Sequence, residues 1–256
     1  MDSAPLHIAV EGHGPPLVLL HGWALHSGIF ANLREHLSAS HCLYSVDLPG
    51  HGRSRGTARL EANAFVDALI ERVPDQAIWL GWSLGGLLAL HAAMRHRPRL
   101  AGLVMVASSP RFTRAPDWPY GVDEAVFRAF AEGLEQRFVA TIEGFLDLET
   151  RGSAITPAAM SALRNDAFQY GAPEADQLLA GLELLQHRDL RDALATLNLP
   201  SVWIAGRRDR MVRTQAMQWA AHRGRRARYL ELDSGHMPFL SHPEVVAEAV
   251  HELTRA

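Results

Sequence analysis

Gly81-Trp82-Ser83-Leu84-Gly85-Gly86 is the stretch of sequence that decides the fold. An apolar run at residues 77–80 leads into it, and a helix-like run at residues 87–94 follows it. This order predicts a strand, a sharp turn and a helix, with Ser83 at the apex of the turn. Glycines on both sides of Ser83 allow the strand and the helix to approach closely. The pattern G-x-S-x-G also occurs by chance, but in this context it predicts a nucleophilic serine at a strand end.

A nucleophilic serine needs a histidine to take its proton and an acid to orient that histidine. Two later strand-like runs end just before Asp209 and just before the segment that carries His236. We therefore predict a catalytic triad of Ser83, Asp209 and His236, in the order that this type of turn favours. Asp233 is the weaker alternative for the acid, and a surface turn is the alternative role of Asp209.

A tetrahedral intermediate also needs N–H donors for its oxyanion. The backbone N–H of Leu84, directly after the nucleophile, is the first candidate. The second is the N–H of Trp23, because the strand-like run at residues 17–20 ends in His21-Gly22-Trp23. An ordinary turn between a strand and a loop would also explain Gly22.

The composition excludes several classes of function. The chain has 256 residues, is 48% hydrophobic and carries a net charge of −3. These values predict one substantial α/β core and give no reason to expect binding to nucleic acid or to an anionic membrane. All 25 basic residues are arginine, so no lysine is present for a Schiff base or a P-loop.

Motifs for metals and cofactors are absent from the sequence as well. It contains no H-E-x-x-H, no C-x-x-C and no G-x-G-x-x-G, so we expect neither a metal nor a cofactor. The single cysteine, Cys42, excludes an internal disulfide and fits a buried position. We find no targeting segment in residues 1–5 and no apolar run of the ~20 residues that a membrane span needs. We therefore expect a cytoplasmic monomer.

The alternation of apolar and amphipathic runs predicts an α/β fold with a mostly parallel central sheet flanked by helices. Strands are predicted near residues 6–11, 16–21, 41–46, 77–82 and 100–107, and helices near 28–38, 62–73 and 84–96. From about residue 111 the alternation stops, and amphipathic helices follow until it resumes after Pro200. We predict a core formed by residues 1–110 and 190–256, with a helical lid at 111–189. A packing appendage is the alternative for the inserted helices.

Several segments resemble a known family. His21-Gly22-Trp23 and Asp47-Leu48-Pro49-Gly50-His51-Gly52-Arg53-Ser54 resemble the α/β-hydrolase superfamily, and the order of the predicted triad agrees. Narrower segments resemble the BioH esterases of biotin synthesis: Trp79 to Gly86, Val106 to Phe112, and Gly181-Leu182-Glu183-Leu184-Leu185. The resemblance implies an α/β-hydrolase fold and hydrolysis of the methyl ester of pimeloyl-[acyl-carrier protein]. It also implies a transient complex with the acyl-carrier protein, and no cofactor.

The mechanism that follows is acyl transfer through a serine ester. Trp82 and Trp23 are expected to form the wall of the acyl pocket, and Phe145 and Leu146 are expected to add to it from the lid. Plain core packing is the alternative role of all four side chains.

The predicted lid departs from the family pattern, in which arginines on the lid helices hold the acidic carrier. Residues 123–183 contain eleven acidic and four basic residues, a net charge of −7, and an acidic lid would repel an acidic carrier. We therefore expect the carrier to dock on arginines near the catalytic aspartate and at the start of the lid: Arg111, Arg114, Arg207, Arg208, Arg210 and Arg213. The alternative is a solvated basic surface with intramolecular partners such as Asp117. The cluster Arg223-Gly224-Arg225-Arg226 precedes a strand and is expected at the opposite end of the sheet.

Other functions remain open at this stage. The same serine triad would also hydrolyse small aliphatic or aryl esters, or cleave carbon–carbon bonds of ring-fission products. A receptor for a small molecule that retains the triad is a further alternative. Dehalogenase and epoxide hydrolase activities are disfavoured, because those enzymes use an aspartate where this chain has Ser83.

Overall fold

A seven-stranded sheet organises the chain, and its strand order is β1-β3-β2-β4-β5-β6-β7. The computed structural model describes residues 4–151, 153 and 156–255. The strands are β1 (Ile8–Gly12), β2 (Pro16–Leu20), β3 (Cys42–Val46), β4 (Ala77–Trp82), β5 (Leu100–Val106), β6 (Ser201–Gly206) and β7 (Ala227–Leu232). Strand β1 runs antiparallel to β3, and all the other pairs are parallel.

The central strands are buried on both faces. Every residue of β4 and β6 is buried, as are all residues of β2 after Pro16. Continuous apolar runs of this kind are typical of parallel strands that are covered by helices on both sides. Because the strands are parallel, their carboxyl ends meet at one edge of the sheet. In such sheets ligands bind at that edge.

Ten helices accompany the sheet in the described part of the chain. They are α1 (Ala31–Leu37), α2 (Ala62–Ile70), α3 (Leu84–Arg95), α4 (Glu124–Gln136), α5 (Phe138–Thr150), α6 (Pro157–Ala167), α7 (Ala175–His187), α8 (Thr214–Arg223), α9 (Pro238–Ser241) and α10 (Pro243–Arg255). Short 3₁₀ turns lie at Ser27–Phe30, Arg97–Arg99 and Asp192–Thr196. Helix α1 packs against α10, helix α2 packs against α3, and both α3 and α10 contact the central strands.

The predicted α/β class, the mostly parallel sheet and the helical insertion are confirmed. Three local expectations need correction. The first strand begins at Ile8 rather than residue 6, and the helix expected from residue 28 begins at Ala31, because a 3₁₀ turn with its N-cap at His26 occupies residues 27–30. The helix expected to reach residue 73 ends at Ile70, before a turn that leads to Pro74.

Helices α4 to α7 form an insertion between β5 and β6. Its two ends meet: the Leu190 N–H donates to the Pro110 carbonyl oxygen at 2.9 Å, and Arg111 pairs with Asp189. Apolar side chains of the insertion, including Phe127 and Leu146, belong to the same buried cluster as the sheet. The insertion is therefore packed against the core rather than standing away from it.

Parts of the predicted segments lie outside the described residues: residues 1–3 and 256 of the core, and residues 152, 154 and 155 of the lid. The N-terminal expectation concerning a targeting segment falls partly on these. Across 4–151, 153 and 156–255, no helix has the length and apolar character needed to cross a membrane. Within those same residues, no cluster of three or more His, Cys, Asp or Glu side chains is arranged to hold a metal ion.

The contact between α3 and β2 predicts a large difference between two glycine substitutions. A Cβ on Gly85 would lie 2.2 Å from the Leu20 carbonyl oxygen, whereas a Cβ on Gly144 of α5 would meet nothing within 4 Å. We expect Gly85→Ala to lower the free energy of unfolding by about 1–3 kcal/mol through overpacking. Gly144→Ala, the control, should raise it by about 0.5–1 kcal/mol, since alanine is the better helix former. Urea unfolding followed by tryptophan fluorescence measures both, and a Gly85→Ala variant as stable as the parent would contradict the assigned packing.

Candidate active site

Ser83 lies at the turn between β4 and α3 in a backbone conformation that non-glycine residues rarely adopt, with φ 52° and ψ −118°. The strained turn is possible because Gly85 packs directly on the carbonyl oxygens of Leu20 and His21. The Ser108 hydroxyl donates to the Ser83 carbonyl oxygen at 2.8 Å and holds the turn from β5. Ser83 therefore occupies the position that the sequence predicts for a nucleophile, at the carboxyl edge of the sheet.

His236 and Asp209 form a buried hydrogen-bonded pair. The His236 Nδ1 and the Asp209 Oδ2 are 2.7 Å apart, and both side chains are 1% exposed. The second oxygen of Asp209 accepts hydrogen bonds from the backbone N–H groups of Met211 and Val212, at 2.7 and 2.9 Å. An ionised Asp209 accepts a hydrogen bond from the Nδ1–H of His236. In this tautomer the Nε2 atom of His236 carries no hydrogen and is the nitrogen that can accept a proton.

Asp233, the alternative acid, is not the hydrogen-bond partner of His236. Its side chain is 63% exposed and forms an ion pair with Arg208 at 3.3 Å. Among the described residues, His236 Nε2 has no hydrogen-bond partner, so no bond to Ser83 is present. The structure brings His236 and Asp209 together and places Ser83 at the elbow, while the roles of the three residues stay a prediction.

Trp82 connects the elbow to the histidine loop. Its indole N–H donates to the His236 carbonyl oxygen at 2.8 Å. The ring also packs edge-on against Phe239, with the centroids 5.3 Å apart. This contact ties the loop after β7 to the residue directly before Ser83, so Trp82 helps to fix the position of His236.

The two predicted oxyanion donors lie next to the elbow. Leu84 is the first residue of α3, and its N–H has no acceptor within the helix. Gly22 approaches Ser83 so closely that a Cβ on it would lie 3.2 Å from the Ser83 Cβ. Because Gly22 contacts the turn at Ser83, the N–H of the next residue, Trp23, lies close to that turn as well.

Two buried histidines, which the sequence analysis did not single out, support the Trp23 loop. His21 Nε2 accepts from the Leu48 N–H at 2.9 Å, and His51 Nε2 accepts from the Ala24 N–H at 3.3 Å. Burial, followed by the neighbouring His51, lowers the pKa of His21 to about 3, and burial lowers the pKa of His51 to about 4. Both rings are neutral acceptors at neutral pH and fasten the loop. Their position in the His-Gly and Gly-His-Gly segments was the available signal.

The insertion covers this site. Phe145 of α5 packs edge-on against Trp23 with the centroids 4.6 Å apart, and the Trp23 indole donates to the Leu178 carbonyl oxygen of α7 at 2.8 Å. Leu146 is fully buried beside Phe145. Ser83 is consequently 4% exposed. All four predicted pocket residues, Trp23, Trp82, Phe145 and Leu146, are buried, which fits both the pocket and the packing interpretations.

Glu149 is a buried acid that the sequence analysis counted only as lid charge. Its carboxyl group is 0% exposed, and its Oε1 lies 3.7 Å from the His236 Nε2. Burial, and then the negative charge of Asp209, raise the pKa of Glu149 well above its usual range. The signal was available, because Glu149 follows Phe145 by four positions and Leu146 by three, which places it on the same face of α5.

A cavity of about 360 Å³ lies beside the histidine loop. The cavity lies between α6 of the insertion, the start of α1 with the 3₁₀ turn before it, and α9. Met237, the residue after His236, is part of its lining. Its lining is mostly apolar and includes Ile29, Ala31, Ala159, Leu163, Met237 and Leu240.

Comparison with known proteins agrees with this architecture. A family model described as the alpha/beta hydrolase fold matches residues 15–243. The chain belongs to the α/β-hydrolase family. It is 48% identical over 252 residues to the pimeloyl-[acyl-carrier protein] methyl ester esterase of Xanthomonas campestris pv. campestris (strain B100), covering 98% of this chain and 99% of that protein. It is 47% identical over 252 residues to the protein of the same name from Stenotrophomonas maltophilia (strain K279a), covering 98% and 97%.

Among solved structures, the esterase EaEST from Exiguobacterium antarcticum superimposes with a TM-score of 0.89 at 20% identity, over 98% of this chain and 96% of that one. At this identity the likeness concerns the fold alone. The curated relatives confirm the resemblance that the sequence motifs carry.

In this α/β-hydrolase, the six arginines expected to dock a carrier divide into two groups. Three have acidic partners, in pairs that join Arg111 to Asp189, Arg207 to Glu231 and Arg208 to Asp233. The other three, Arg114, Arg210 and Arg213, are exposed and take part in no ion pair with the described residues.

The hydrogen bond between His236 and Asp209 predicts unequal effects of two conservative substitutions. Asp209→Asn would favour the wrong tautomer of His236, and we expect kcat to fall about 10⁴-fold with little change in folding. Asp233→Asn removes only an exposed ion pair and should change kcat by less than about threefold. Steady-state hydrolysis of an aryl ester by the two variants measures this. A comparable loss in Asp233→Asn would return that residue to consideration as the acid.

Proposed function

We propose that the protein is a serine carboxylesterase that hydrolyses the methyl ester of pimeloyl-[acyl-carrier protein] in biotin synthesis. The observation that carries the substrate is the similarity, over nearly the full length of both chains, to esterases of that name. The reaction class is supported by the strained Ser83 beside the buried pair of His236 and Asp209. We propose that the protein acts in the cytoplasm.

In the proposed mechanism, Ser83 Oγ attacks the ester carbonyl carbon while His236 Nε2 takes the hydroxyl proton. Asp209 stabilises the imidazolium that forms. The imidazolium then gives its proton to the leaving methoxy group, and methanol departs from the acyl-enzyme. Water attacks the same carbon, its proton passes to His236 and then to Ser83, and the pimeloyl carboxylate is released.

The oxyanion of each tetrahedral intermediate is assigned to the backbone N–H groups of Trp23 and Leu84. Such donors are effective because they are fixed before the charge develops, and losing one typically lowers kcat by about 10²–10³-fold. The His21 and His51 hydrogen bonds support this role, since they hold the Trp23 loop without adding positive charge.

The covering insertion suits an apolar acyl chain. Trp23, Trp82, Phe145 and Leu146 are all buried, and Phe145 of the insertion packs against Trp23. A mostly apolar cavity of about 360 Å³ lies between Met237, next to His236, and α6 of the insertion. We assign the insertion as a lid that receives the pimeloyl chain when it opens.

Docking of the acidic carrier is assigned to the exposed arginines Arg114, Arg210 and Arg213 at the carboxyl edge of the sheet. The negative charge of the lid is smaller than its composition suggests. Glu149 is buried with a raised pKa, and Glu183 pairs at 2.8 Å with Arg59, which lies outside the insertion.

Hydrolysis of short-chain or aryl esters is the second candidate. It is favoured by the ion pairs that engage Arg111, Arg207 and Arg208, because these reduce the positive charge available to a carrier. A small ester needs no docking surface and would require only the triad and the oxyanion donors.

The substrate proposal predicts efficient hydrolysis of the pimeloyl-carrier methyl ester, beyond that of a short aryl ester. Ser83→Ala should abolish both activities, because it removes the nucleophile. Release of methanol and of the free carboxylate, followed by mass spectrometry, measures the first reaction. Hydrolysis of the aryl ester alone would support an esterase but contradict the carrier-linked substrate. No turnover of either ester would favour a receptor that retains the triad.

The docking proposal predicts that charge reversal acts on the carrier substrate only. Arg210→Glu with Arg213→Glu should raise KM for the carrier-linked ester by about 10-fold, and less at high salt, with a small ester unaffected. Arg225→Glu with Arg226→Glu is the matched control, because this exposed pair precedes β7 at the opposite end of the sheet. Equal losses on both substrates, or equal effects of the two double variants, would contradict docking at this surface.

A further inference from the structure

The Glu149 carboxyl group is buried without a hydrogen-bond partner. Among the described residues neither Oε1 nor Oε2 makes a hydrogen bond, and the side chain is 0% exposed. Leaving a carboxyl group in this state is unfavourable, and native proteins rarely do so without a functional reason. The contact of this carboxyl group with His236 points to such a reason.

Glu149 faces the free nitrogen of His236. The 3.7 Å between Glu149 Oε1 and His236 Nε2 is too long for a hydrogen bond. It is short enough for one water molecule to bond to both atoms. Nδ1 is already engaged by Asp209, and Nε2 has no partner within the described residues. Glu149 Oε1 and His236 Nε2 are therefore two buried polar atoms that face each other without hydrogen-bond partners among the described residues, and Nε2 is the atom proposed to act as the base.

We infer that Glu149 holds the water molecule that hydrolyses the acyl-enzyme. This role rests on the proposed serine esterase mechanism but not on the identity of the acyl group. The water has two O–H bonds: one donates to His236 Nε2 and the other to a Glu149 oxygen. Its lone pair is then directed at the carbonyl carbon of the Ser83 ester.

The proton and electron balance involves only groups already named. The water oxygen forms the new bond to the acyl carbon, and His236 Nε2 takes one proton. When the bond from the acyl carbon to Ser83 Oγ breaks, the imidazolium returns that proton to Oγ. The second proton stays on the water oxygen and becomes part of the released acid, so Glu149 accepts a hydrogen bond without itself gaining or losing a proton.

The protonation state of Glu149 suits this role. Burial, and then the nearby Asp209, raise its pKa, which favours the neutral carboxyl group, whose carbonyl oxygen accepts a hydrogen bond. The position of Glu149 near the carboxyl end of α5 also favours the neutral group, because the negative end of the helix dipole disfavours a carboxylate. The charged or titratable groups that face it are His236 and Asp209. Ionisation at higher pH would place a second negative charge beside the oxyanion and oppose its formation.

The position of Glu149 is set by contacts on both sides. Phe145 and Leu146, on the same face of α5, are buried in the core. Just beyond the helix, the Ser153 hydroxyl oxygen accepts a hydrogen bond from the Gly235 N–H at 3.2 Å. The end of α5 is therefore attached to the loop that carries His236.

The test separates acylation from deacylation with a short-chain p-nitrophenyl ester. In Glu149→Leu, we expect the burst of p-nitrophenol to keep its rate while the steady-state phase slows by about 10- to 100-fold, the loss expected for one hydrogen bond to a reacting group. Intact-protein mass spectrometry after acid quenching should show the accumulated acyl-enzyme. Glu149→Gln retains an acceptor oxygen and should stay within a few-fold of the parent. Glu143→Leu, on the less buried side of α5, is the control.

A second measurement is independent of whether Glu149→Leu folds. The parent should lose activity as the pH rises through the raised pKa of Glu149, and Glu149→Gln, which has no such ionisation, should retain it. Unchanged deacylation in Glu149→Leu, equal slowing of both phases, or identical pH profiles of the parent and Glu149→Gln would overturn the inference. Failure of the proposed esterase function would instead appear as an absence of turnover dependent on Ser83 in the parent itself.

Discussion

The close approach of Gly85 to the carbonyl oxygens of Leu20 and His21 is the constraint on which the rest of the structure depends. It brings the start of α3 onto β2, and the chain can make that step only by turning sharply at Ser83. The same contact places the Trp23 loop beside the elbow. Ser83 and the two N–H groups proposed as oxyanion donors therefore depend on the same backbone packing, and an added methyl group at that point would disturb them together.

The sheet and the insertion contribute different parts of the site. Loops at the carboxyl ends of β2, β4, β6 and β7 carry the groups proposed to react or to donate hydrogen bonds, and contacts with neighbouring backbone hold these loops in place. The insertion carries mostly apolar cover, with Trp23 as the side chain that both parts contact. Excluding water from the site strengthens the hydrogen bond between His236 and Asp209, because a low local dielectric increases electrostatic interactions.

Features that depend on neighbouring residues could be predicted from the sequence, whereas those that depend on distant pairing could not. The elbow around Ser83 follows from a local apolar run and from glycines at fixed offsets. The antiparallel direction of β1 depends on its pairing with β3, more than thirty residues away, and no local pattern encodes it. Likewise, the pairing of Arg207 with Glu231 depends on the parallel register of β6 and β7. Glu149 is a different case. Its helical spacing from Phe145 and Leu146 would have predicted a buried side chain, but the sequence analysis counted it only as one of the charges of the insertion.

The burial of Glu149 links the position of the lid to proton activity. Burial raises the pKa of the Glu149 carboxyl group, so an opening of the proposed lid that exposed this group to water would lower its pKa again and favour release of its proton. By thermodynamic linkage, the ratio of open to closed molecules then rises about tenfold per pH unit between the ordinary and the raised pKa. If the insertion opens as proposed, acidic conditions would favour the closed form over the open one.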